Sequence, residues 1–330
     1  MNIELNNESQ KSANTLHYSG IAVLLLVTLI WGTSFPLLKG AVSSLSPSAV
    51  LATRFAVAAL PFTPYLRFLN LTLLRDGVLL GLIIFSTLTL QTVALETTSA
   101  NHAAFIASFN VILVPLLGQL LGRQVFFKTF LAAAMAIFGV GVMCWESEQI
   151  VVGDFLMLGN AFLYSIYILK LESITLRHPI LPLTAIQLWV IAIVSLIWGA
   201  PDLVRQYEVI GANWGVILYL GLFDTAATIV LQVLAQRWVN AYETALMYTL
   251  EPIFAAVFSF LLLGEKLGVR GIIGATFVLL AMIFGQTKSQ DNEVQVNEPI
   301  VAALPSADTE PISIPVSLLN GNLVESHFDS

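Results

Sequence analysis

Apolar residues run along this chain in ten long blocks separated by short polar links. The blocks fall near residues 19–39, 46–67, 76–95, 101–122, 127–145, 152–172, 180–200, 213–236, 241–263 and 268–286. Each is about the twenty residues that a helix needs to cross a hydrocarbon layer. A membrane strand would show shorter segments alternating in polarity. Stretches such as IAVLLLVTLIW (21–31) do not alternate. Helix-end signals punctuate the links: Ser46-Pro47, Pro179, Pro182, Pro201-Asp202 and Gly211-Ala212-Asn213. The pattern predicts an all-α integral membrane protein of ten transmembrane helices. Residues 1–18 are polar and read as a disordered cytoplasmic lead. The first apolar block lacks a cleavage-type ending and reads as a retained helix. Residues 287–330 read as an acidic, disordered cytoplasmic tail.

Composition agrees. Hydrophobic residues are 57% of the 330 and charged residues 11%, against about 25% charged in soluble domains. Mean hydropathy is +0.84. Soluble enzymes, nucleic-acid binders and disulfide-stapled secreted domains are excluded, so the lipid bilayer is a partner and nucleic acid is not. The single cysteine, Cys144, has no internal partner and reads as an inert buried thiol. The net charge of −7 resides almost wholly in the tail and carries no substrate information. Nine Lys and Arg fall in one set of links and four in the other. That bias puts both termini in the cytoplasm.

Residues 81–122 resemble residues 222–264 at an offset of 141. Leu90-Gln91 falls on Leu231-Gln232, Thr87 on Thr228, Ala94 on Ala235, Ala100 on Ala241 and Ala104 on Ala245. Residues 19–145 and 152–286 are therefore read as two five-helix repeats. An odd number of crossings per copy makes tandem copies inverted, with a substrate site between them at mid-membrane.

Charges inside such blocks are costly. Arg54 either faces a substrate carboxylate or locks helices together, and is read as a structural charge. Asp224 carries a proton, contacts a substrate amine or caps a helix break. Glu251, directly before Pro252, titrates beside the carbonyl that proline frees, or pairs with Arg54. His102 and Glu243 sit near block ends and read as interfacial. Gln91, Gln187, Asn110, Asn160 and Gln232, with Trp31, Tyr164, Tyr167 and Tyr248, suggest a polar, aromatic-lined cavity. The substrate-binding candidates are Trp31, Gln91, Asn110, Tyr164, Gln187, Asp224, Gln232, Tyr248 and Glu251. Pro36, Pro61, Pro64, Pro115 and Pro252 are candidate kinks. Gly77/Gly81, Gly118/Gly122 and Gly264/Gly268 are candidate helix contacts.

No hydrolytic, metal-binding or nucleotide-binding motif stands out, so no catalytic residue, metal or cofactor is expected, and neither is enzyme activity. WGTSF (Trp31 to Phe35), Arg54-Phe55, TSANHAAFI (Thr98 to Ile106), VPLL (Val114 to Leu117) and EPIFAAVFSFLLLGEKL (Glu251 to Leu267) occur in that order. With them the chain resembles the ten-helix EamA-type permeases of the drug/metabolite transporter superfamily over residues 20–286. Tyr164-Ser165 stands where the second repeat matches Trp31-Gly32. Arg123 departs from the pattern, since the family usually has Glu there. The resemblance implies a multi-pass permease of a bacterial inner (plasma) membrane. It would move a small molecule, an amino acid or related metabolite among others, by alternating access, with export the expected direction. A homodimer stays open. The alternative is a non-transporting membrane protein, such as a receptor or an intramembrane lipid-modifying enzyme.

Overall fold

A computed structural model describes residues 2–143, 151–263 and 269–286. Among these every regular element is helical. The helices are α1 (Asn2–Val42), α2 (Pro47–Ala59), α3 (Leu71–Ala94), α4 (Ala100–Ala107), α5 (Asn110–Leu120), α6 (Phe127–Met143), α7 (Val152–Thr175), α8 (Ile180–Arg205), α9 (Tyr207–Ala212), α10 (Trp214–Leu218), α11 (Thr228–Ala235), α12 (Ala241–Tyr248), α13 (Glu251–Leu263) and α14 (Val269–Gln286). Cys144, Gly264, Glu265, Gly268, the side chain of His102 and the acidic tail lie outside the described residues.

All ten apolar blocks are helical over their described residues. Among the described residues, seven segments are long and apolar enough to cross a membrane. Two more blocks give the shorter apolar helices α6 and α14, and the block at 241–263 is divided between α12 and α13. Helix α1 starts at Asn2, so the polar lead expected to be disordered continues the first helix. Extending an existing helix needs no new nucleus.

Local chemistry sets the ends. Ser46 caps α2 by accepting from Ala49 N at 3.3 Å, with Pro47 in the first turn. Asn70 and Asn240 cap α3 and α12 in the same way. Gly122 takes φ +81° just past α5, the left-handed conformation glycine supplies at a helix C-terminus. That glycine makes no helix contact, whereas Gly77 and Gly81 press against Ile186 and Val190 of α8. Pro61 and Pro64 lie in a 3₁₀ turn, Leu60–Phe68, which closes the second span. Helix α1 continues through Pro36.

The repeat is visible in the breaks. Helix α4 at 100–107, its break at 108–109 and the start of α5 at 110 recur 141 residues later. The second copies are α12 at 241–248, the break at 249–250 and the start of α13 at 251. Helix neighbours exchange in pairs between the repeats. Helix α2 packs on α8 and α6 on α14, while α1 packs on α11 and α13 as α7 packs on α3 and α5. Equivalent helices also run in opposite directions. Thr98, just beyond α3 and facing the end of α1, bonds Asp154 at the start of α7. At the opposite end, His17 of early α1 bonds Trp238 O, near the start of α12, and Glu172 of late α7 bonds Ala241 N. The two repeats are thus inverted about an axis between α1 and α7. Gly32 lies where they approach: a Cβ there would sit 2.5 Å from Phe254 Cβ of α13. This explains the glycine of the Trp31–Phe35 motif.

Candidate functional site

The unwound and broken helices converge on one cavity of about 60 Å³. Its walls come from both repeats: Trp31, Ser34, Phe35 and Arg54; Ile84, Thr87, Leu88 and Gln91; Ala107, Asn110, Asn160 and Tyr164; and Asp224, Thr225, Thr228, Ile229, Gln232 and Glu251. Seven of the nine candidates line it: Trp31, Gln91, Asn110, Tyr164, Asp224, Gln232 and Glu251. Asn110 and Glu251 are the first residues of α5 and α13, so each is placed by the break before it.

Tyr248 does not line the cavity. It packs behind it, with ring centroids 4.9 Å from Trp31 and 6.0 Å from Tyr164. Gln187 is turned away. Its Oε1 accepts from the Tyr167 hydroxyl at 2.9 Å, and its Nε2 donates to Leu183 O. It is fully buried, and the bond to Tyr167 satisfies it away from the cavity.

Arg54 joins the site. Its Nη2 donates to Asp224 Oδ2 at 2.6 Å and its Nε to Thr225 Oγ1 at 2.6 Å. Both partners of the ion pair are about 95% buried or more. Arg54 therefore engages Asp224 and not Glu251, the partner the sequence suggested. The reason lies in the eighth span, where Tyr219–Ala227 forms a π-helical segment. Thr225 donates to Leu220 O, five residues back, at 2.7 Å. The wider turn brings Asp224 and Thr225 together onto Arg54. π-Turns interrupting α-helices are frequent at functional sites. Gly221 lets α2 come close: a Cβ there would lie 2.8 Å from Arg54 O. Desolvating an arginine and an aspartate is expensive, and only close hydrogen-bonded pairing offsets it.

Several polar atoms at the cavity have no hydrogen-bond partner among the described residues: Asp224 Oδ1, Asn110 Oδ1 and Gln232 Nε2. The other end of Gln232 is fixed, since its Oε1 accepts from Tyr164 Oη at 3.1 Å. Asn160 is held by Thr87 O at 2.9 Å. Buried polar atoms without partners cost about 1–3 kcal/mol each, so these three are the groups a polar guest would satisfy. Sequence reasoning missed Ser34 and Thr225. Thr228 stood in the repeat alignment with Thr87, and that was the signal available for it.

A second, larger cavity, about 300 Å³, lies among Val111, Gln124, Phe126, Thr129, Tyr242, Glu243 and Leu246. It holds none of the candidates.

The sequence profile of the EamA-like transporter family matches residues 18–145 and, a second time, residues 151–285. The chain belongs to the EamA-like transporter family. An uncharacterized transporter of Archaeoglobus fulgidus is 34% identical over 265 residues, covering 79% of this chain and 83% of that one. The uncharacterized transporter YyaM of Bacillus subtilis is 24% identical, covering 81% and 93%. One crystal structure, 15% identical in sequence, matches with a TM-score of 0.65 over 82% of this chain and 96% of its own. That likeness shows the fold alone. As an EamA-like protein with several apolar helices, the chain is a multi-pass membrane transporter.

Proposed function

We propose that this EamA-like protein is a secondary transporter that carries a small polar or amphipathic metabolite by alternating access. An amino acid or related solute is the first class to test, and export the first direction. The membrane would be a bacterial plasma membrane, with both termini cytoplasmic. The observation that carries this reading is the central cavity between inverted repeats, lined by partnerless polar atoms. At about 60 Å³ it has room for roughly four to six waters. Ligand sites generally run about 300–1,000 Å³. A solute must therefore part the repeats to enter, which alternating access requires.

Trp31 and Tyr164, backed by Tyr248, would supply the apolar wall, and Gln91, Asn110 and Gln232 the hydrogen bonds. Arg54 occupies Asp224. Glu251 is left as the lining acid with no cation partner among the described residues, and is the better proton-coupling candidate. The test is reconstitution into liposomes with labelled amino acids, sugars and nucleosides, with and without a pH gradient. Gradient-dependent accumulation of one class is expected. Flux indifferent to the gradient would leave a facilitator or exchanger and remove the coupling role from Glu251. No flux of any solute would count against transport of these classes.

A further inference from the structure

We propose that Lys39 and Glu172 are paired latches, equivalent in the two repeats, each closing one end of the central cavity. The proposal rests on the alternating-access reading. Its starting point is a register that relates the first two helices of each repeat. Adding 133 to Trp31 gives Tyr164, and adding it to Pro47, the first residue of α2, gives Ile180, the first of α8. The same step carries Lys39 onto Glu172.

The contacts correspond as well. Lys39 Nζ donates to Leu95 O at 2.6 Å and to Thr98 O at 3.0 Å, gripping the link from α3 into α4. Glu172 Oε1 accepts from Ala241 N at 2.9 Å, gripping the link from α11 into α12. The charges differ because the targets differ. Leu95 closes the C-terminus of α3, where carbonyls point outward and favour a cation. Ala241 opens α12, where free N–H groups favour an anion. Inversion then places the two latches at opposite ends of the molecule.

Glu172 makes a second contact. Its Oε2 pairs with Arg123, just past the end of α5. Partial burial works against the Arg123 charge, but the hydrogen bond and charge of Glu172 raise its pKa above the ordinary value. One carboxylate thereby holds the end of α5 and the start of α12 to α7. This gives Arg123, the departure from the family pattern, a partner. Arg123 and Glu172 are 32% and 20% exposed, so water reaches the pair and weakens it. A latch that must open in every cycle needs to be that weak.

The test is sided labelling. With Cys144→Ser removing the native thiol and Ala107→Cys placing one in the cavity wall, a membrane-impermeant maleimide is applied to either face of oriented vesicles. Lys39→Met is expected to raise labelling several-fold from the face near Thr98 and Asp202. Glu172→Ala is expected to raise it from the opposite face, near Arg123 and Arg237. Lys39→Arg and Glu172→Asp should return labelling toward the parent. Glu172→Gln keeps an acceptor for Ala241 N and should open the same face less, which preserves the test if Glu172→Ala does not fold. Labelling unchanged on both faces, raised equally on both, or raised on the same face by both variants overturns the latches. The readout needs no solute. Opposite-face labelling without flux would retain the latches and remove transport, while flux with unchanged labelling would do the reverse.

Discussion

Asn110 and Glu251 occupy the same place in the two repeats, the first residue after the break in the fourth and ninth spans. One is an amide and the other an acid. The rest of the cavity divides likewise. Trp31 corresponds to Tyr164, Gln91 to Gln232 and Thr87 to Thr228 as chemically similar pairs, all six lining the cavity. Ile83 has Asp224 as its counterpart, and Arg54 has Gln187. Where the first repeat has Ser34, the second has Tyr167, whose hydroxyl takes up Gln187. In the alternating-access cycle we propose, matched backbones would let the site open to two sides. Unmatched charges give it one polarity, so a guest in the proposed site would not bind equally well both ways round. The first repeat supplies the cation, and the second supplies both acids.

The strongest way to break that comparison is to unbalance the ion pair between the halves. Arg54→Gln should cost about 3–5 kcal/mol, because it strands a buried carboxylate. Arg54→Gln with Asp224→Asn should cost less than the two singles summed. Thermal unfolding in detergent reads both, and an additive double variant would mean that the pair is not coupled. Next comes relocation of the acid. Glu251→Gln should abolish gradient-driven accumulation while leaving exchange. Asn110→Glu combined with Glu251→Asn should recover part of the accumulation if the two positions are equivalent. Counterflow and accumulation assays on the same vesicles separate these outcomes.

A third comparison lies within α6. A Cβ on Gly139 would sit 2.7 Å from Gly274 O of α14, while one on Gly141 would meet only Phe105, at 3.6 Å. Gly139→Ala should therefore cost about 1–3 kcal/mol and Gly141→Ala almost nothing, again by thermal unfolding. Tyr164→Phe should cost an amount comparable to Gly139→Ala, about 1–3 kcal/mol, because it strands the buried Gln232 Oε1. Trp31, its counterpart, makes no side-chain hydrogen bond among the described residues.

The spans, the repeat and most of the cavity were legible in the sequence. Blocks of twenty apolar residues permit little besides helices, and a polar residue inside one must face the interior. That logic found Gln91, Asn110, Asp224, Gln232 and Glu251. It did not find partners. Arg54 meets a residue 170 positions away, and no pattern in LATRFAV distinguishes Asp224 from Glu251 as its mate. The choice is made by the π-helical turn, and YLGLFDTAA carries no marker of that turn. Gln187 looked like a cavity amide because composition cannot tell which neighbour satisfies a buried group. Tyr167 does so, from a different helix.

The seam between α6 and α14 bears on how the chain is made. These two helices close their repeats, pack chiefly on one another and contribute nothing to the cavity walls. Helix α14 is also the last of the described chain to leave the ribosome, about 130 residues after α6. During synthesis the glycine seam of α6 is therefore made well before the helix it packs on, and its mate arrives only with the second repeat. A chain stopped before Val269 would keep every cavity residue and still lack that partner.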